Sequence, residues 1–231
     1  ATITWTSATN DNTNAVFTIL SDDGPNTDSD DFTVTVTVIN DEPTLTATGS
    51  DATHTEDAGA VSLFSNSAAG SGGAGGDTES DEIDELTITI TNVQDSAENI
   101  VFDGDTIPIS TADTGTTDGD ASLPWVVTLD STTATLAFDG AGSASFTTAE
   151  LVAALDAATY TNTDQSPTAA DRVITITHLA DEGSDSSPHD RSAASGLPTT
   201  TITVAAVNDA PTASGTATLA SLAEDSAMVG A

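Results

Sequence analysis

ELTITITNV, residues 85–93, alternates threonine with leucine or isoleucine at a strict period of two. That period belongs to an extended strand with one buried and one solvated face. FTVTVTVI (Phe32–Ile39) repeats the pattern, and so does TTATLAF (Thr132–Phe138). PWVVTLD (Pro124–Asp130) adds a strand in which Trp125 reads as a core anchor. Alternation of this kind suits antiparallel sheets rather than a parallel sheet covered on both sides. The fold class expected is therefore all-β, an antiparallel β-sandwich.

One segment breaks the period. In TTAELVAALDAATY (Thr147–Tyr160), Thr147 and Glu150 stand at the spacing of a capping box. Leu151, Ala154, Leu155 and Ala158 fall on one face at helical spacing, which predicts a single short helix packed by that face. Glycine-rich and polar stretches such as Asn66–Asp84 read as loops.

The chain repeats itself. INDEPT (Ile39–Thr44) returns as VNDAPT (Val207–Thr212), and the prolines Pro43 and Pro211 are 168 residues apart. The acidic pair Glu56-Asp57 returns as Glu224-Asp225 at the same interval. VFTILSDDG (Val16–Gly24) before the first linker is matched by VITITHLADEG (Val173–Gly183) before the second. Two spaced motifs in a shared strand context mark an internal repeat. The expected division is the end of one unit at 1–41, a complete unit at 42–209 and the start of a third at 210–231. The terminal parts are expected to be disordered by themselves or to pair with another copy, because exposed strand edges invite partners.

Composition narrows the partners. Asp and Glu number 37 against two basic residues, Arg172 and Arg191, for a formal net charge of −35. Nucleic acid and anionic membrane surfaces both demand a basic face, so neither is an expected partner. Divalent cations are, since so many carboxylates repel one another unless neutralised; an acidic coat suited to brine explains the charge without them. No stretch approaches the 18 apolar residues of a membrane span. There is no cysteine, so no disulfide supports the fold. With neither signal peptide nor initiator Met, the sequence reads as an excised piece of a longer protein.

Strand direction then predicts where the carboxylates meet. A strand leaving Pro43 reaches the turn at Glu56-Asp57 at the far end of the unit, and the next strand returns. One cluster therefore combines Asn40 and Asp41 of the incoming linker with Asp81, Asp84, Asp181 and Glu182. A second combines Glu56 and Asp57 with Asn208 and Asp209. Calcium takes six to eight hard oxygen ligands in a tolerant geometry, and these residue types supply them. Zinc or copper would favour His or Cys.

Together the linker, the acidic pair thirteen residues after it, the acidic loop before LTITI and the Asp-rich turn before the last strand resemble bacterial cadherin-like tandem repeats. Such repeats belong to giant calcium-dependent surface adhesins of the RTX type, and Glu150–Gly183 is similar to a recurrent segment of them. The resemblance implies an extracellular Ig- or cadherin-like sandwich strung end to end, with calcium stiffening the joints. It implies Asn40 and Asp41 as linker ligands, Asp81 and Asp84 as the pair in the acidic loop, and Asp181 as the ligand before the last strand. Glu56, Asn208 and Asp209 become ligands at the lower joint. DEID at 81–84 departs from the compact Asp-x-Asp-Gly-Asp of the family, which leaves Asp81 against Asp84 open. The partners implied are neighbouring repeats of the same chain and other copies in a fibre.

Other motifs read as structure. GGAGGDTES (Gly72–Ser80) carries Glu79 where a calcium nonapeptide needs an apolar residue, and a single copy has nothing to stack on. Asp103-Gly104-Asp105 and Asp118-Gly119-Asp120 lack the distal Glu of an EF-hand and read as turns. His178 continues the Ile174, Ile176 alternation and is expected packed in a strand. No nucleophile elbow with a partnered His is present, so no enzymatic activity is expected. An extender segment is the leading reading; a homophilic or glycan-binding module and an S-layer or matrix component are the alternatives.

Overall fold

The structure is a computed structural model that describes residues 4–6, 13–36, 42–70, 82–119, 122–140, 144–182, 196–211 and 215. The elements, in order, begin with β1 (Ala15–Asp22), β2 (Thr27–Val34), β3 (Thr44–Gly49), β4 (Thr53–Thr55), β5 (Val61–Ser62) and β6 (Phe64–Gly70). β7 (Glu82–Thr91), β8 (Glu98–Phe102), β9 (Asp105–Pro108), β10 (Asp113–Thr116), β11 (Pro124–Asp130) and β12 (Thr133–Asp139) follow. After β13 (Phe146–Thr147) come the helix α1 (Thr148–Ala157), β14 (Thr159–Asn162), β15 (Asp171–Asp181) and β16 (Thr199–Ala205). The architecture is all-β with one helix among the described residues, as the alternation predicts.

A main sheet in the order β10-β11-β12-β7-β15-β16-β4, with β13 also on β7, provides one layer. The order β5-β14-β8-β9 and the ribbon β3-β6 provide the other. From Leu86 onward alternate residues of β7 are buried, and Ile83, Leu86, Ile88 and Ile90 belong to a core shared with Ile100 and Phe102 of β8. Phe102 stands 4.8 Å from Phe138 and 6.1 Å from Phe146, ring centroid to ring centroid, so aromatics join the two layers. Trp125 is buried as expected, and its Nε1–H donates to Asp105 Oδ2 at 2.8 Å. The capping box forms: Glu150 N–H donates to Thr147 Oγ1 at 3.2 Å, and Thr147 N–H donates to Glu150 Oε2 at 2.8 Å. Leu151, Ala154 and Leu155 are the buried face of α1.

Three expectations are corrected. The stretch Asn66–Asp84, read as loop, is strand at both ends: Asn66–Gly70 belongs to β6 and Glu82–Asp84 opens β7. The strand expected to run unbroken from Pro43 to Glu56 is split: β3 pairs with β6, and β4 then pairs with β16. The β4–β16 pairing is parallel, unlike the other strand pairs described. The break is built at close quarters. A Cβ on Gly49 would fall 2.5 Å from the carbonyl oxygen of Thr199, and Asp51 turns the chain at a φ of 46°. Asp51 Oδ1 then accepts the N–H of Thr201 at 2.9 Å. The third correction concerns His178. A register shift between Ile176 and His178 changes the phase of β15, so His178 lies half-exposed on the outer face, 2.9 Å from Glu85 Oε2.

The hairpin β1–β2 pairs Phe17 with Phe32 and Ala15 with Val34. β15–β16 pairs Ile174 with Thr200 and Arg172 with Ile202. Under the sequence correspondence drawn above, these are the same pairs in the same register. The surroundings differ: Ile174 and Ile202 are fully buried, whereas Val16, Ile19, Leu20 and Phe32 of the hairpin are exposed.

Candidate functional site

The two ends of the sandwich carry the acidic residues. At the end where β3 begins, Asp84 and Asp181 lie on the neighbouring strands β7 and β15 and are 6% and 1% exposed. Gly140 N–H donates to the carbonyl of Asp84 at 2.9 Å, and Glu182 N–H to the carbonyl of Glu82 at 3.1 Å. Glu182 itself is exposed. Asn40, Asp41 and Asp81, expected to join this cluster, lie outside the described residues.

At the opposite end the turn after β4 docks on the strand leaving β16. Glu56 N–H donates to the carbonyl of Ala205 at 2.9 Å, and Glu56 Oε2 accepts the N–H of Val207 at 2.7 Å. Glu56 is 3% exposed, and its Oε1 is buried with no hydrogen-bond partner. Asp57 is exposed at a φ of 60°, and its Oδ1 accepts from Gln165 Nε2 at 3.3 Å. Asn208 and Asp209 are exposed in the strand's continuation. Glu56 thus comes against the backbone one residue before Asn208, while Asp57 and Asp209 stay solvated. Among the described residues, no three His, Asp or Glu side chains gather closely enough to hold a metal ion by themselves. Any ion here draws on carbonyl and amide oxygens, which calcium accepts.

Beside this end lies a buried polar network that sequence reasoning missed. Arg172, fully buried, donates from Nε to Glu98 Oε2 at 2.9 Å and from Nη2 to Glu98 Oε1 at 2.9 Å. Nη2 also reaches Asp95 Oδ2 at 2.7 Å, and Nη1 donates to the carbonyls of Ala170 and Thr168. Glu98 Oε1 accepts the N–H groups of Gln94 and Asp95, and Oε2 accepts the Tyr160 hydroxyl at 2.8 Å. Asn162 donates from Nδ2 to Asp95, and its backbone N–H donates to His54 Nε2 at 3.3 Å. The signal was present: Arg172 is in phase with Ile174 and Ile176, so alternation turns it inward, where a charge needs partners.

Titration follows from this burial. Burial opposes the charge on Arg172, but hydrogen bonds and charge from Glu98 outweigh it and hold the guanidinium more firmly protonated than usual. Burial likewise opposes the Asp95 carboxylate; bonds from Thr168 and Asn162 and the charge of Arg172 prevail and lower its pKa below 3.8. Burial raises the Tyr160 phenol, with Glu98 adding to the shift. His54 is lowered from 6.5, first by burial, against smaller opposing effects of its own backbone and Glu98. A depressed folded-state pKa gives stability that is complete above the unfolded value and lost as pH falls through the folded one. Unfolding in urea is therefore expected to show a first loss of stability below about pH 6.5 from His54 and a second below about pH 3.8 from Asp95. His54→Gln should remove the first step; if its midpoint falls between pH 7.5 and 5 as steeply as in the parent, His54 is not the group responsible.

No helix among the described residues is long and apolar enough to cross a membrane. Neither a family model, nor a curated protein, nor a solved structure matches this chain.

Proposed function

We propose that the chain is a calcium-stiffened extender segment of a bacterial cell-surface adhesin or fibre, with residues 42–209 forming one Ig- or cadherin-like repeat outside the cell. The observation that carries the reading is Glu56. A carboxylate buried at the joint, with Oε2 on the Val207 N–H and Oε1 without a hydrogen-bond partner, is half of a site in search of a cation. Asn208 and Asp209 follow immediately with the oxygen donors calcium favours. Asp84 and Asp181 are likewise buried carboxylates, at the opposite end. The matching register of the two hairpins supports a chain built of tandem units.

Calcium would bridge Glu56 to the outgoing linker and hold the next unit at a fixed angle. Without it, carboxylates a few Å apart repel by a few kcal/mol per pair at intermediate dielectric. Binding to the folded state alone adds about 3 kcal/mol per site at a hundredfold excess over Kd. Calorimetry and small-angle scattering with millimolar calcium and with chelator are the test. Chelation should lower the melting temperature and widen the inter-unit angle. Glu56→Gln should blunt the response at the lower joint and Asp41→Ala at the upper. If neither stability nor shape responds to calcium, the proposal fails.

A further inference from the structure

The centre of the main sheet's outer face carries no carboxylate, on a chain of net charge −35. In one row straight across five strands, Thr128 pairs with Thr135, Thr135 with Thr89, Thr89 with Thr175 and Thr175 with Thr199. A flanking row carries Val126, Ala137, Thr87 and His178, and the other carries Thr91, Val173 and Thr201. Among the described residues, carboxylates border these rows: Glu85, bonded to His178, and Asp139 at one end, Asp130 and Asp171 at the other, and Asp51 on the N–H of Thr201. Composition makes such a gap unexpected, because Asp and Glu supply 37 of 231 residues.

Covering this face is cheap in solvation. Thr175 Oγ1 lies 2.9 Å from Thr199 Oγ1, and Thr89 Oγ1 lies 3.1 Å from Thr177 Oγ1. Thr199 Oγ1 also donates to the carbonyl of Ile174 at 3.2 Å. These four hydroxyls are already partnered within the sheet, so a second surface laid on them strands few polar groups there. Methyl groups of threonine, valine and alanine supply the apolar contact.

We infer that this face is a lateral docking surface for a second copy of the same chain, sheet against sheet. Charge selects the occupant. Two bodies of −35 repel over most of their surfaces, and a neutral patch is where they approach without that penalty. A basic partner would seek the acidic margins and ends instead. Strand spacing near 4.8 Å and a side-chain repeat near 6.7 Å give the patch an area on the order of 500 Å². A stable interface buries about 800 Å² per partner, so a single pair is weak and contacts along tandem units add by avidity. The inference does not depend on the calcium sites and is read with chelator present, which separates its failure from theirs.

Sedimentation velocity of the 231-residue chain over rising protein concentration is the experiment, at low salt and in 1 M sodium chloride. Salt shortens the screening length from about 10 Å at 0.1 M to about 3 Å at 1 M. The expected result is dimer that grows severalfold with salt. Thr89→Glu with Thr175→Glu should abolish it while urea unfolding stays cooperative. Thr89→Val with Thr175→Val should increase it, which decides the matter if the glutamate pair fails to fold. Leu20→Glu in the exposed hairpin should leave association intact. A chain monomeric under all conditions overturns the inference. So does association that survives the glutamates, does not rise with valine, or is lost on substituting Leu20.

Discussion

Arg172→Met is expected to lower the unfolding free energy by about 3–5 kcal/mol, the usual effect of removing one partner of a buried ion pair. The change leaves Glu98 and Asp95 buried without their cation, and methionine fills the arginine's volume without replacing its hydrogen bonds. For a unit of this size each kcal/mol moves the melting temperature by about 2–4 °C, so a fall of roughly 10 °C is expected. Removing the charges together should restore much of the loss: Arg172→Met, Glu98→Leu and Asp95→Leu leaves no buried charge in the network. The triple variant still strands the N–H groups of Gln94 and Asp95 and the Tyr160 hydroxyl, which keeps the recovery partial. Thermal melts of the single and triple variants decide it; a single variant within 1 kcal/mol of the parent would mean the network contributes little.

Phe102→Ala is expected to remove a similar amount, about 3–5 kcal/mol. The ring is fully buried and belongs to the second layer, while its neighbours Phe138 and Phe146 hang from strands of the main sheet. Its loss opens a cavity where the layers meet, and the two sheets cannot close on it without distorting their own ladders. Phe102→Leu should recover more than half. Equilibrium urea unfolding measures both, and equal losses for leucine and alanine would show that ring packing is not the source.

How much of this was legible in the sequence depends on how local the cause is. The alternation in Glu85–Val93 predicts β7 and its buried face, because period two is a property of the strand alone. Thr147 and Glu150 predict the start of α1, because a capping box closes within four residues. The break after Gly49 was not legible: it arises where the chain passes within contact of Thr199, which is distant in sequence. The register shift that turns His178 outward depends on pairing with β7, which no pattern in β15 records. Arg172 gave half its meaning through its inward phase, but its partners, Asp95 before β8 and Glu98 at the start of β8, are distant in sequence. Of the expected calcium residues, Glu56, Asp84 and Asp181 are buried, Asp57, Glu182, Asn208 and Asp209 lie exposed, and Asn40, Asp41 and Asp81 lie outside the described residues.

The parallel pairing of β4 with β16 decides how the unit carries mechanical load. A chain pulled from both ends draws the Pro43 side one way and the Asn208 side the other. β4 and β16 are hydrogen-bonded side by side and point the same way, so the pull slides one along the other. Their bonds, with those from Glu56 to Ala205 and Val207, then bear the force at once instead of opening in succession as in a peeled hairpin. On the Asn208 side, tension would meet its first resistance at the joint that Glu56 closes.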